Sequence, residues 1–228
     1  MSVTPQLDDK YYQVAPRRSL GERLVILARD RIFDDFMRIC RPGPDDPVLD
    51  VGVSDVVNDA ANVLERKYAW PERIVAAGLG DLAGFRAAYP RVTAMGIAAN
   101  RPLPFADDTF AVATANAVLE HVGSPAAQLA FVRELCRVAR KVFITVPNRF
   151  FPIEHHTAIP LLHFWDSSFA RACAALGKSE WAREENLILM SMARLAALAP
   201  PDTAFSIGYT GILLGPLSSN LFLFIDRT

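Results

Sequence analysis

The sequence predicts an α/β fold, a doubly wound and mostly parallel sheet in one domain. Three observations predict it. Segments with strand character alternate with helical segments between residues 45 and 147, the order that covers both faces of a parallel sheet with helices. The strand segments, VLDVG (48–52) and TFAVATA (109–115) among them, are short apolar runs, as strands buried on both faces are. Beyond residue 200 two more strand segments, 203–209 and 219–226, are joined by a Gly/Pro turn region, and a closely connected pair is most simply antiparallel.

The elements follow in order. Residues 1–18 are mixed and polar and read as a mobile arm, in which Tyr11 and Tyr12 could fold over a site. A helix over 19–41 opens on Ser19-Leu20-Gly21-Glu22, a capping box, and carries Leu20, Leu24, Leu27, Phe36 and Ile39 on one face. Pro42-Gly43-Pro44 ends it. The core, 45–147, then runs strand 48–52, helix 55–67, strand 73–78, helix 81–88, and strands 91–96 and 109–115. Ser124-Pro125 supplies an N-cap and a first-turn proline for a helix with Leu129, Val132, Cys136 and Ala139 at core spacing, and strand 141–147 follows. Residues 148–200 are helical and rich in Phe, Trp and His, a lid on the carboxyl edge of the sheet. The closing strands occupy 201–228, giving seven in all.

Composition narrows the function. A chain of 228 residues, 51% hydrophobic, fills one core. A net charge of −1, with short basic clusters interleaved with acids, offers no bulk attraction to nucleic acid or anionic lipid. Cys40, Cys136 and Cys173 are odd in number and far apart, which fits buried thiols in a reducing cytoplasm and no disulfide framework. Arg17-Arg18 precedes no apolar segment, and no run is long enough to span a bilayer, so a soluble protein is expected.

Three stretches carry a resemblance: VLDVGVSD (48–55), LPFADDTFAVATANAVLEHV (103–122) and VRELCRVARKVFITVPNRFFPIEHHT (132–157). Their order and text resemble the class I S-adenosylmethionine (SAM) dependent methyltransferases, especially the type 11 group. The likeness covers about residues 45–160, and SSNLFLFI (218–225) looks like the last strand. It implies a Rossmann-like, seven-stranded sheet with an antiparallel last strand, SAM as cofactor, and a methyl acceptor. It further implies that Asp50 anchors the first loop, that the backbone at Gly52 and Val53 lies against the cofactor, and that Asn116 sits near the cofactor and the catalytic mouth. The second strand ends Ala77-Gly78-Leu79-Gly80-Asp81, leaving Asp81 as the nearby acid for the ribose, and Ala99 takes the place of an acid that often meets the adenine amine. The first loop has one glycine followed by Val53 and Ser54, and Ala111 stands where relatives have Asp.

The residues themselves separate SAM from a dinucleotide. Pyrophosphate needs several glycines and a helix start free of anions. Val53 narrows the approach and Asp55 adds negative charge, whereas the sulfonium and ammonium of SAM favour acids. His121, just past the fourth strand, and His155, in the loop after the fifth, are candidate bases for a protonated acceptor. Glu154, His155, His156 and His121 lack the spacing that puts two ligands on one helical face, so no metal is expected. His163, Phe164, Trp165 and Phe169 read as core. No Gly-x-Ser-x-Gly elbow is present. The expected function is methyl transfer from SAM to a small-molecule acceptor, with no nucleic-acid or membrane partner. The second reading is a non-catalytic methyltransferase-like module, motivated by Gly78, Gly80, Ala99 and Ala111.

Overall fold

A computed structural model describes residues 20–57, 61–201 and 203–228. The predicted arm and the Ser19 to Glu22 capping box lie outside what it describes. Helix α1, Leu20–Cys40, buries Ala28, Ile32, Phe36 and Cys40, four residues apart along one stripe. Leu24 and Leu27, expected on the buried face, are exposed instead. The face is set by what lies opposite: Phe36 meets Phe143 of the central sheet edge-on, with ring centroids 5.9 Å apart.

The sheet contains β1 (Val48–Val51), β2 (Ile74–Leu79), β3 (Thr93–Ile97), β4 (Phe110–Asn116), β5 (Ala139–Pro147), β6 (Ala204–Thr210) and β7 (Asn220–Asp226). Its order is β3-β2-β1-β4-β5-β7-β6. Strands β1 to β5 pair in parallel, and β7 runs antiparallel to both β5 and β6. Six strands therefore share one direction and β7 opposes them. Strand order reverses between β1 and β4, and the crevice outside the carboxyl ends at such a point is where open α/β sheets take ligands.

Alternate strand residues feed two cores. Leu49, Ala113, Ile144 and Leu223 meet Val132 and Leu135 of helix α4 (Pro125–Val138, numbered after the two short helices below) on one face. Val48, Ile74, Val112 and Phe143 meet Ile32 and Phe36 of α1 on the other. Each fully buried Leu, Ile, Val or Phe contributes roughly 1.5–3 kcal/mol relative to exposure. As predicted, Ser124 caps α4, its hydroxyl oxygen accepting from Ala127 N–H at 3.2 Å with Pro125 next in line.

The helix predicted over 55–67 is much shorter. Helix α2 spans only Val63–Lys67. The polar side chains before it bond elsewhere: the Ser54 hydroxyl accepts from Val56 N–H at 3.0 Å, and Asp55 accepts from Phe85 N–H at 2.8 Å. Asn62 then turns left-handed at φ 51, which interrupts any helix. Asp55 thereby serves the start of helix α3, Ala83–Ala88, across the sheet edge.

Residues 148–200 run between β5 and β6, the stretch read as a helical lid. Its helices are α5 (Asp166–Ala175), α6 (Met192–Ala196) and short 3-10 turns at Leu162–Phe164 and Ser179–Ala182. Ile159, Phe169, Cys173, Trp181 and Leu187 make a satellite core of their own. Of the aromatic stretch read as core, Phe169 is buried but Trp165 is 65% exposed. Cys40, Cys136 and Cys173 are free and buried, as expected. Among the described residues no helix is long and apolar enough to cross a membrane.

Candidate functional site

A cleft opens at the strand-order reversal, between α1 and the carboxyl ends of β1 and β4. Asp50, Gly52, Val53, Asn62, Thr114 and Asn116 line it, with Arg29 and Phe33 from α1 opposite. Four of the seven cofactor positions anticipated from sequence thus meet in one place. Gly52 makes the turn with φ 97 and donates its N–H to Ala77 O at 2.7 Å, fastening the first loop to β2. Asn116 is held by the Thr145 hydroxyl, which donates to its Oδ1 at 2.5 Å.

The floor of the cleft is acidic. Asp50 is partly exposed, and its neighbour Glu65 on α2 is buried with neither carboxylate oxygen hydrogen-bonded among the described residues. Burial, then the charge of Glu65, holds the Asp50 carboxyl well above its ordinary range, and burial pushes Glu65 up to about 7. The two acids therefore retain a proton between them into the neutral range. A cation entering the cleft would relieve that repulsion.

The other three anticipated cofactor positions are not in the cleft. Gly78 lies directly beneath the first loop, so that an added Cβ would stand 2.6 Å from Val53 O. Asp81 points to solvent and pairs with Arg86 at 3.3 Å. Ala99 is exposed in the turn after β3. The cause is the early path of the first loop, which crosses toward α3 through the Asp55 bond to Phe85 and covers the end of β2.

The histidines gather at a second place on the same sheet edge. Residues Leu119–His121 form a 3-10 turn just past β4. His121 Nδ1 lies 2.8 Å from Asn186 O, and its Nε2 lies 3.0 Å from His156 Nε2. His156 Nδ1 in turn lies 2.8 Å from Glu154 Oε1. Trp181 stacks on the His156 ring at 5.2 Å between centroids. Glu120 is 1% exposed, its oxygens have no hydrogen-bond partner among the described residues, and one lies 3.9 Å from His121 Nε2.

Burial depresses the His121 pKa to about 3, with a further push from His156, so its ring is neutral at physiological pH. Both ring nitrogens are engaged, which places His121 inside a cluster and not at an open mouth. His155 is exposed beside Phe151 and lines the cleft below the insertion. Its crowded surroundings lower its basicity, but solvent contact limits how far. Sequence had grouped Glu154, His155, His156 and His121. The structure instead joins Glu120, His121 and His156, whose ligand atoms lie within 4.8 Å of one another, with Glu154 behind His156. Glu65 and Asn62 gave no signal of their own, because each occupies what reads as an ordinary helical or loop position; Glu120 was flagged only by its place just past the fourth strand.

Family models give no match to this sequence, and curated protein sequences give none. Solved structures do. A SAM-dependent methyltransferase of Thermotoga maritima is 13% identical with a TM-score of 0.58, over 90% of this chain and 92% of that one. A protein of Pyrococcus horikoshii is 12% identical with a TM-score of 0.60, over 97% of each chain. The small RNA methyltransferase HEN1 is 12% identical with a TM-score of 0.53, over 88% of this chain and 26% of its own. The fold is the Rossmann-like fold of the class I SAM-dependent methyltransferases, as the sequence resemblance implied.

Proposed function

We propose that the protein is a methyltransferase that binds SAM in the cleft between β1 and β4 and methylates a small-molecule acceptor. The observation that carries this is the pair Asp50 and Glu65, two mutually repelling acids packed together at the ligand-binding end of a methyltransferase-type sheet. The residues suit the cationic half of SAM: the acids would face the ammonium and sulfonium, and Arg29 the carboxylate. When bound, SAM supplies an activated methyl carbon. The chain's own part is alignment and water exclusion, by the backbone at Gly52 and Val53 and the Thr145-held amide of Asn116. His155, exposed toward the insertion, is the residue available to take a proton from an acceptor hydroxyl or amine. Residues 148–200 would select the acceptor. A net charge of −1 supports a small acceptor over RNA.

One observation favours a second reading, a binding module without transferase activity. The end of β2 offers no acid to the cleft, since Gly78 is covered and Asp81 is solvent-facing. Calorimetry with SAM and S-adenosylhomocysteine separates the readings. Binding of both near the micromolar range, largely lost in Asp50→Ala, supports the enzyme. Absence of heat at high ligand concentration leaves the module.

A further inference from the structure

We propose that Glu120, His121 and His156 form a site for a divalent transition-metal cation of the zinc class, with an open coordination place toward the cleft below the insertion. The proposal goes beyond methyl transfer and does not depend on it.

Hydrogen bonding fixes the tautomers. Asn186 O, 2.8 Å from His121 Nδ1, is a carbonyl and can only accept, so Nδ1 carries the hydrogen. Glu154 does the same for His156 Nδ1 at 2.8 Å. Glu154 is placed as an acceptor throughout, taking bonds from His156 N–H at 3.0 Å, Thr157 N–H at 2.6 Å and the Thr157 hydroxyl at 2.6 Å as well. With each Nδ1 hydrogen so placed, the two Nε2 atoms face each other across 3.0 Å, and both offer lone pairs once any proton between them is displaced. The Glu120 carboxylate, buried and without a hydrogen-bond partner among the described residues, sits beside them with an oxygen 3.9 Å from His121 Nε2.

A shared proton would reconcile the two imidazoles and leave both Glu120 oxygens unsatisfied. A dication satisfies all three groups at once. The outer partners are those that orient metal-bound histidines: an acceptor on each Nδ1, one of them a carboxylate. Ligand atoms about 3.3 Å apart are what a tetrahedral zinc with bonds near 2.0 Å requires. The observed 3.0 Å and 3.9 Å bracket that separation, within reach of small side-chain rotations. Two imidazoles and a carboxylate suit zinc, cobalt and nickel above magnesium or calcium. Three protein ligands leave a fourth place, and Glu120 and His156 both line the cleft that Asn148 and Met190 help to wall.

The test uses the full chain, freed of any polyhistidine tag and stripped by chelator. Zn2+ titrated by calorimetry should bind at one equivalent, and Co2+ should give the intense visible absorption of tetrahedral coordination. Glu120→Gln and His156→Ala should each weaken binding by about 100-fold or more, and Glu154→Gln by roughly 10–100-fold. His155→Ala, adjacent in sequence but outside the cluster, should bind as the parent does. Glu120→Gln also removes a buried carboxyl that lacks a hydrogen-bond partner among the described residues, so the metal-free variant should melt higher than the metal-free parent while responding less to zinc. Folded parent protein that takes up neither ion, or variants that bind zinc as the parent does, overturns the site. Because no SAM is present, the result stands apart from the methyl-transfer reading. Should a variant fail to fold, the Co2+ spectrum of the parent and the zinc-induced shift of its His121 and His156 Nε2 resonances still decide the question.

Discussion

The side-chain amide of Asn62 holds Ser54 by both sides of its peptide, accepting from its N–H at 3.1 Å and donating to its C=O at 2.8 Å. Both residues are buried, and the clamp ties the first loop to the start of α2. Asn62 does this from a left-handed backbone, φ 51, a conformation that Asn tolerates better than most. Asn62→Ala loses two buried hydrogen bonds and adds backbone strain, which should cost about 2–4 kcal/mol in urea unfolding. Asn62→Gly loses the same bonds without the strain and should cost about 1 kcal/mol less. Equal losses in the two variants would show that the backbone at this position carries no strain.

Glu65 should make the protein less stable in mild alkali than in mild acid. Its pKa is raised from 4.5 to about 7 by burial, so the folded form holds a proton that the unfolded chain releases. Stability contributed by this group is therefore full below about 4.5, declines as pH rises toward 7, and is level beyond. At about 1.4 kcal/mol per pH unit the decline is at most about 3 kcal/mol, and sharing with Asp50 reduces it. Glu65→Gln should gain about 1–3 kcal/mol at pH 8 and little at pH 4.5, while weakening any cationic ligand in the cleft. An unchanged slope of stability against pH between 4.5 and 7 would rule this out.

Gly78 and Asp81 should differ sharply in their response to the same substitution. A methyl at 78 meets the Val53 carbonyl at 2.6 Å, and neither backbone is free to yield, because Gly52 N–H is bonded to Ala77 O at 2.7 Å. Gly78→Ala should cost roughly 2 kcal/mol or more and displace the first loop, with SAM affinity falling alongside. Asp81→Ala removes only an exposed pair with Arg86, so stability should move by less than about 0.5 kcal/mol and SAM affinity should hold. Lost SAM binding in Asp81→Ala would place this acid back in the cofactor site.

How much of this was legible in the sequence varies with the range of the interactions involved. Every strand was readable to within one or two residues, because apolar runs bounded by turn signals are local properties. The Ser124 cap was equally local. The length of the helix after β1 was not, since its shortening to Val63–Lys67 depends on Asp55 bonding to Phe85, thirty positions away, and on the Asn62 turn. Asp50, Gly52, Val53 and Asn116 converge because topology alone puts the ends of β1 and β4 side by side. Asp81 and Ala99 depend on loop paths that no periodicity encodes. The histidine cluster shows the same limit: the sequence grouped His155 with Glu154, His156 and His121, but the chain turns His155 away from the other two rings and brings Glu120 beside them instead.

Arg149 should hold the insertion to the sheet, and its loss should be felt there and not in the sheet core. Its backbone N–H donates to Met190 O at 2.9 Å, and Nη2 reaches His163 O at 3.3 Å, Phe164 O at 3.1 Å and Asp166 at 2.8 Å. The side chain is only 10% exposed, so its bonds are shielded from water. Arg149→Met keeps the bulk but removes Nη2, and the two carbonyls lose their donor, at a cost of about 1–3 kcal/mol. Arg149→Lys should recover little, because the lysine chain is one atom shorter and its ammonium stops short of the place from which Nη2 reaches all three acceptors. The satellite core of Ile159, Phe169, Cys173 and Trp181 is separate from the sheet clusters, which confines the damage. Amide exchange should quicken across residues 159–182 and stay slow in β4 and β5. Uniform quickening throughout the chain would mean that insertion and sheet unfold as one unit and that Arg149 is not a local fastening.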